Sequence, residues 1–204
     1  MKLYQSVGPN PHVVKMFIAE KSIEIPRVDI DVRGGVNRKA DYLAINPRGQ
    51  SPALLTDSGQ LISEITAICE YLEELYPAPP LIGTTPEERS ETRMWTRRVD
   101  LGFCEPMANG FRFSDALEWF SWRMRMIPEA AVGLKASAQD HLAWLEDQMA
   151  DEPYLCGDRF TLADIMLFCF TDFGSHIGQG IPAELTRLTA WYDRVKERPS
   201  ATAG

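Results

Sequence analysis

Ser6, Asn10 and His12 stand between a short run, Lys2-Leu3-Tyr4-Gln5, and a stretch in which Val13, Val14, Phe17 and Ile18 recur at helical spacing. They are the polar side chains next to the N–H groups that open that helix. A helix start carries unpaired N–H groups and the positive end of the helix dipole, so it favours an anion. Glu64-Ile65 stands in the same position before a second helical stripe, Ala67, Ile68, Tyr71, Leu72 and Leu75. Between the two lies a basic stretch, Arg33, Arg38, Lys39 and Arg48, where a small anion can be held. Tyr4, in the middle of its run, reads as core, and His12 as a solvated or capping residue. The four cysteines, Cys69, Cys104, Cys156 and Cys169, form no Cys-x-x-Cys pair, and three sit in apolar runs. They read as buried free thiols, and no residue set has metal-ligand spacing. Thr161-x-x-Asp164 has capping-box spacing, with Phe160 and Ile165 at the hydrophobic-staple positions, so it is expected to be structural.

The elements that must position these residues change character near residue 80. Lys2–Ser6 reads as a strand, ended by Gly8, Pro9, Asn10 and Pro11. The first helix runs to about Lys21. Pro26–Val32 alternates, with Val28, Ile30 and Val32 on one face, and so reads as a second strand. A helical turn over Tyr42–Ile45 and the strand Ala53–Thr56 follow. Asp57-Ser58-Gly59-Gln60 has turn chemistry and leads into Leu61-Ile62, giving a β-hairpin. The helix through Leu75 stops at Pro77. The first half therefore reads β-α-β-α-β-β-α. Ala78-Pro79-Pro80 is an extended linker by composition. Beyond it, helices are expected over roughly 86–127, as one long helix or two in line, and over 129–150, 161–173 and 184–197. The expected organisation is an α/β domain over 1–77, a linker over 78–85 and an all-α domain over 86–204.

The chain has 204 residues, enough for one large domain or two small ones. It holds 21 Lys plus Arg against 29 Asp plus Glu, a net charge of −8, which argues against a nucleic-acid binder that relies on phosphate neutralisation. No run approaches the roughly 18 apolar residues of a membrane span. The opening residues show no apolar leader, and with unpaired cysteines the expected location is the cytoplasm.

Three segments together resemble the cytosolic glutathione transferase family. Asn46-Pro-Arg-Gly-Gln-Ser51-Pro52-Ala-Leu54 is similar to the family's Asn-Pro-x-Gly-x-Val-Pro-x-Leu, with Ser51 for the usual valine. Glu64-Ile65-Thr66-Ala67-Ile68 is similar to Glu-Ser-x-Ala-Ile, and Gly157-Asp-Arg-Phe-Thr161-Leu-Ala-Asp164 to Gly-Asp-x-Phe-Thr-x-Ala-Asp. The three lie in order, and the resemblance covers nearly the whole chain. It is that of a bacterial-type member near the beta and nu branches. Aligned on the beta-type opening, Lys-Leu-Tyr-Tyr-Ser-Pro-Gly-x-Cys-Ser, the chain places Asn10 where the cysteine stands.

The resemblance implies a thioredoxin-like first domain, an all-helical second domain and a cis bond before Pro52. It implies glutathione as co-substrate, held by Gln50, Ser51, Pro52, Glu64 and Ile65, with Arg38 and Lys39 near its glycyl carboxylate. Ile65 replaces the serine whose hydroxyl helps to hold the γ-glutamyl carboxylate. Losing that bond costs about 1.5–3 kcal/mol unless Ser63 or Thr66 substitutes. The thiolate is expected to be held by Asn10 or Ser6. Val99, Phe103, Met107 and Phe111, at every fourth residue, are expected to line a pocket for a hydrophobic electrophile. The reaction implied is conjugation, or thiol-disulfide or β-ether chemistry, in a homodimer. The alternative is a non-catalytic relative that binds or regulates.

Overall fold

A computed structural model describes residues 1–149 and 152–203. Residues 150, 151 and 204, which the expected helix over 129–150 and domain over 86–204 include, lie outside the described residues. The chain divides into two compact units, Met1–Ile82 with the chain end from Pro199, and Gly83–Arg198.

In the first unit β1 (Lys2–Gln5), α1 (Pro9–Glu20), β2 (Arg27–Asp29), α2 (Ala40–Ile45), β3 (Ala53–Leu55), β4 (Leu61–Ser63) and α3 (Ile65–Leu75) follow the expected order, with a 3-10 turn at Val36–Arg38 before α2. The sheet order is β2-β1-β3-β4. β1 and β2 are parallel, and β3 is antiparallel to both β1 and β4. Strand alternation sorts the side chains between the two faces. Tyr4 and its cross-strand partner Ala53 pack with Ile30 and Tyr42, beside Val28 and Val32. Leu3 and its partner Leu54 therefore face the other side, the side of α1 and α3 with their buried Val13, Phe17, Ile68 and Leu72.

Three expectations change here. The second strand stops at Asp29, although the Ile30 N–H still reaches the Gln5 carbonyl at 2.7 Å. The proline-rich segment expected as an extended linker is tied down within the first unit. Lys21 Nζ donates to the carbonyls of Tyr76 and Pro79, both at 2.7 Å, and the Glu73 carboxylate accepts from the N–H groups of Leu81 and Ile82 at 3.0 Å. The chain end also belongs to this unit rather than to the helical one. His12 Nε2 lies 3.1 Å from the Ala201 carbonyl, and the 3-10 turn Pro199–Thr202 packs on α1.

The second unit is helical: α4 (Pro86–Val99), a wider π turn (Asp100–Cys104), α5 (Glu105–Arg112), the short α6 (Leu117–Phe120), α7 (Ala131–Gln148), α8 (Leu162–His176) and α9 (Thr186–Lys196). The helix expected to run on to 127 ends at Arg112. Ser114 Oγ donates back to the Gly110 carbonyl at 2.7 Å, and the Ala116 N–H bonds to Phe111 across an i→i+5 step, which closes the helix. The Thr161–Asp164 motif is structural. The buried Asp164 carboxylate accepts from the Thr161 N–H and hydroxyl, the Leu155 N–H and Trp191 Nε1, each at 3.0 Å, joining a loop, α8 and α9.

Candidate active site

The strand register brings three loops to one end of the sheet. Tyr4 of β1 is level with Ala53 of β3, which is level with Ser63 of β4. β1 leaves that end toward Ser6–Asn10, β3 enters from Ser51–Pro52, and β4 leaves toward Glu64–Ile65. Segments some 55 residues apart in sequence thus meet, because adjacent strands lie only about 5 Å apart.

At the first loop, Gly8 caps α1 with φ 115, and no side chain caps the helix. Pro9 and Pro11 have no N–H, and the His12 N–H is spent on the Gly8 carbonyl at 3.3 Å. The first turn therefore offers the Asn10 N–H as its unpaired helical donor. The Asn10 side chain is half-buried and bonds to no described residue, whereas Ser6 Oγ donates weakly to the Val7 carbonyl at 3.3 Å. Tyr4 is a core residue, edge-on to Tyr42 with ring centroids 6.0 Å apart.

At the second loop the Ser51–Pro52 bond is cis. Ser51 Oγ is buried and makes no hydrogen bond. Gln50 and Lys39 are exposed, and Arg38 donates a guanidinium N–H to the Arg48 carbonyl at 3.1 Å.

At the third loop Glu64 has φ 72 and ψ 128, a conformation rare outside glycine and costing about 1–3 kcal/mol. It precedes α3, whose first turn has neither a capping side chain nor an acidic residue, so the helix start is open to an anion. Thr66 brings a hydroxyl to that first turn, one residue beyond Ile65.

The expected electrophile stripe is placed differently. Val99, Phe103 and Met107 have no exposed surface and belong to the core of the helical unit. The π turn between α4 and α5 adds a residue to one turn and cancels the drift of a four-residue repeat, so all three face inward. Phe111 alone of the four is partly exposed, packed edge-on against Phe173 and Trp119 at 5.4 and 6.4 Å. A shallow cavity of about 490 Å³ opens on the other side of this helix, lined by Met94, Arg97, Arg98, Leu101, Gly102 and His141. A Cβ on Gly102 would overlap the His141 ring, so only glycine admits that helix contact. The π turn carries no signal in residue types, which is why the cavity escapes sequence reading.

All four cysteines are buried and none is in a disulfide, and burial pushes the thiols of Cys69, Cys104 and Cys156 up. Among the described residues no group of three or more His, Cys, Asp or Glu is placed to hold a metal ion. No described helix is long and apolar enough to cross a membrane.

A four-stranded mixed sheet with a cis-proline loop, followed by a helical unit, defines a thioredoxin-like protein with an appended all-α domain. The sequence profile "Glutathione S-transferase, N-terminal domain" matches residues 7–75, and "Glutathione S-transferase, C-terminal domain" matches residues 106–194. Glutathione S-transferase 2 of Saccharomyces cerevisiae is 30% identical over 203 residues, covering 95% of this chain and 84% of its own. Protein LigF of a Sphingobium species is 30% identical over 98% of this chain and 91% of its own. Among solved structures, a glutathione S-transferase domain-containing protein from Marinobacter aquaeolei is 34% identical with a TM-score of 0.94. It covers 99% of this chain and 100% of its own. The chain belongs to the glutathione S-transferase family and is a transferase of that type.

Proposed function

We propose that the chain binds glutathione across the three loops and attacks a hydrophobic electrophile with its thiolate. The observation that carries this reading is the register Tyr4–Ala53–Ser63, which sets two open helix starts on either side of the strand edge at Ser51. An extended tripeptide fits such an arrangement. Its cysteine pairs with the Ser51 backbone as an added strand would. Its γ-glutamyl carboxylate meets the start of α3, with Glu64 near its ammonium and the Thr66 hydroxyl in place of the one that Ile65 lacks. In this reading the exposed Lys39 meets the glycyl carboxylate, with the exposed Gln50 beside the tripeptide backbone.

A free thiol with a pKa near 8.5 is only a few per cent ionised at pH 7. The Asn10 N–H and amide donate to the sulfur and favour the anion, each unit of lowering being worth about 1.4 kcal/mol. The proton leaves to solvent. The thiolate then forms a C–S bond to the electrophilic carbon while the leaving group departs with the bonding electrons. All four protein thiols are buried, so the reacting sulfur comes with the ligand. The similarity to LigF, whose solved structure is that of a beta-etherase, supports β-aryl ethers as a second class of electrophile. The family resemblance also supports a cytoplasmic homodimer, which sedimentation velocity tests.

Calorimetric titration with glutathione, followed by turnover with aryl halides, disulfides and β-aryl ethers, tests the proposal. Saturable heat and turnover with one of these classes is the expected result. No binding at millimolar glutathione would overturn it.

A further inference from the structure

Three consecutive carbonyls before the cis-proline are each held by a side chain from the preceding segment. The Arg48 carbonyl accepts from Arg38 at 3.1 Å, and the Gly49 carbonyl from Asn37 Nδ2 at 2.7 Å. The Gln50 carbonyl accepts twice, from Tyr42 Oη at 2.7 Å and Asn46 Nδ2 at 2.9 Å. Asn46 is locked in turn, since its Oδ1 accepts from the Arg48 N–H at 3.1 Å and its carbonyl from the Gly49 N–H at 2.8 Å. Tyr42 and Asn46 are both buried. Gly49, at φ 61, admits this clamp because a Cβ there would crowd the Asn37 carbonyl, Arg38 and Leu43.

The Gln50–Ser51 peptide is trans, so its C=O and N–H point in opposite directions from one rigid plane. Two donors occupy both lone pairs of the Gln50 oxygen and fix that plane. The Ser51 N–H is thereby aimed away from Tyr42 and Asn46. We infer that Tyr42, through its phenol, is a positioning residue for the Ser51 backbone donor, with Asn46 as its partner. The inference rests on the proposed glutathione site, in which that N–H receives the ligand's cysteinyl backbone. Burial raises the Tyr42 pKa, so the phenol keeps the proton it donates. A phenylalanine would fill the same space and leave the Gln50 oxygen with one donor.

Tyr42→Phe tests this through two readouts. The first is calorimetric affinity for glutathione and for S-methylglutathione, which has no ionisable thiol. The second is the 15N order parameter of the Ser51 amide in the ligand-free protein. The expected result is that both dissociation constants rise by the same factor, about two- to tenfold, the worth of one net hydrogen bond. The thiol pKa of bound glutathione stays unchanged, and the Ser51 order parameter falls below that of the neighbouring strand. Asn46→Asp, which keeps the acceptor for Arg48 and deletes the donor to Gln50, reads the same effect if Tyr42→Phe does not fold. Unchanged affinity and unchanged Ser51 order would overturn the inference, as would a loss of thermal stability alone. If the unsubstituted protein binds no glutathione, the functional reading falls, and the order parameter by itself decides whether Tyr42 positions Ser51.

Discussion

Lys21 Nζ and a Glu73 carboxylate oxygen meet at 2.6 Å with side-chain exposures of 0% and 2%. The ammonium also donates to two carbonyls of the 76–79 segment and the carboxylate accepts from two N–H groups beyond it, so a buried ion pair holds the end of the first unit against α1 and α3. Removing one member leaves the other charged in a dry site, which typically costs about 3–5 kcal/mol, whereas replacing both with apolar residues is often neutral. Lys21→Met is expected to lower stability in urea by about that amount, and Lys21→Met with Glu73→Leu to recover most of it. A double variant as unstable as the single one would show that the backbone contacts, not the pairing, hold the segment.

Acid should loosen the start of α4. Glu88 accepts from the Thr84 N–H and hydroxyl, both at 2.7 Å, and from the Thr85 N–H at 3.3 Å. The Thr84 backbone and side-chain bonds hold its pKa down from 4.5 to about 2. A depressed carboxyl contributes stability that is complete above its unfolded value, near 4.5, and lost as pH falls through about 2. Asp164 works in the opposite sense, because burial raises its pKa. Urea midpoints measured from pH 6 to 2 should fall less steeply in Glu88→Gln than in the unsubstituted chain. Because Glu88 faces water, the difference should shrink in 1 M salt.

The unbonded Ser51 hydroxyl predicts a stabilising substitution. A buried hydroxyl without a partner costs about 1–3 kcal/mol. Ser51→Ala removes it with little change of volume and should raise stability to chemical denaturation by about that amount, with glutathione affinity kept. Weaker glutathione binding in Ser51→Ala would show instead that the hydroxyl serves the ligand.

Of the two candidates for the thiolate, the Asn10 side-chain amide bonds to no described residue, whereas the Ser6 hydroxyl turns to the Val7 carbonyl. Asn10→Ala should raise the pKa of bound glutathione by about one unit, read from thiolate absorbance, whereas Ser6→Ala should leave it in place. The reverse pattern would transfer the role to Ser6.

Thiol reagents give an independent check that the reacting sulfur is not the protein's own. The four cysteines are buried, so the native chain should react with none of them over minutes and with four equivalents after unfolding. Rapid loss of one native thiol would contradict the burial.

Much of the first unit was legible in the sequence because its signals are local. The breakers Gly8–Pro11, the alternation around Val28, the turn Asp57–Gln60 and the stripe ending at Leu75 each act within a few residues, and the element order follows from them. The start of α3 at Glu64 could be read in the same way, whereas the loop Asn46–Pro52 was read through its likeness to a family motif. The four-residue repeat at Val99, Phe103 and Met107 was also legible as an inward face. Whether that face met a core or a pocket depended on what packed against it and on one π turn that no residue type announces. The capture of residues 76–82 by Lys21 and Glu73 escaped composition as well, since a proline-rich stretch reads alike whether it is free or tied down.

The sequence by itself determined the order of strands and helices in the first unit and which donors its helix starts leave open, because prolines, glycines and alternation act on the adjacent backbone. Only the tertiary structure decided that Asn10, Ser51 and Glu64 share one end of the sheet, and that Tyr42 and Asn46 converge on one carbonyl. The shared sheet end is set by strand register. The convergence is set by the angle at which α2 meets the loop. Both are fixed by burial summed over the whole unit, and no short window of sequence contains that sum.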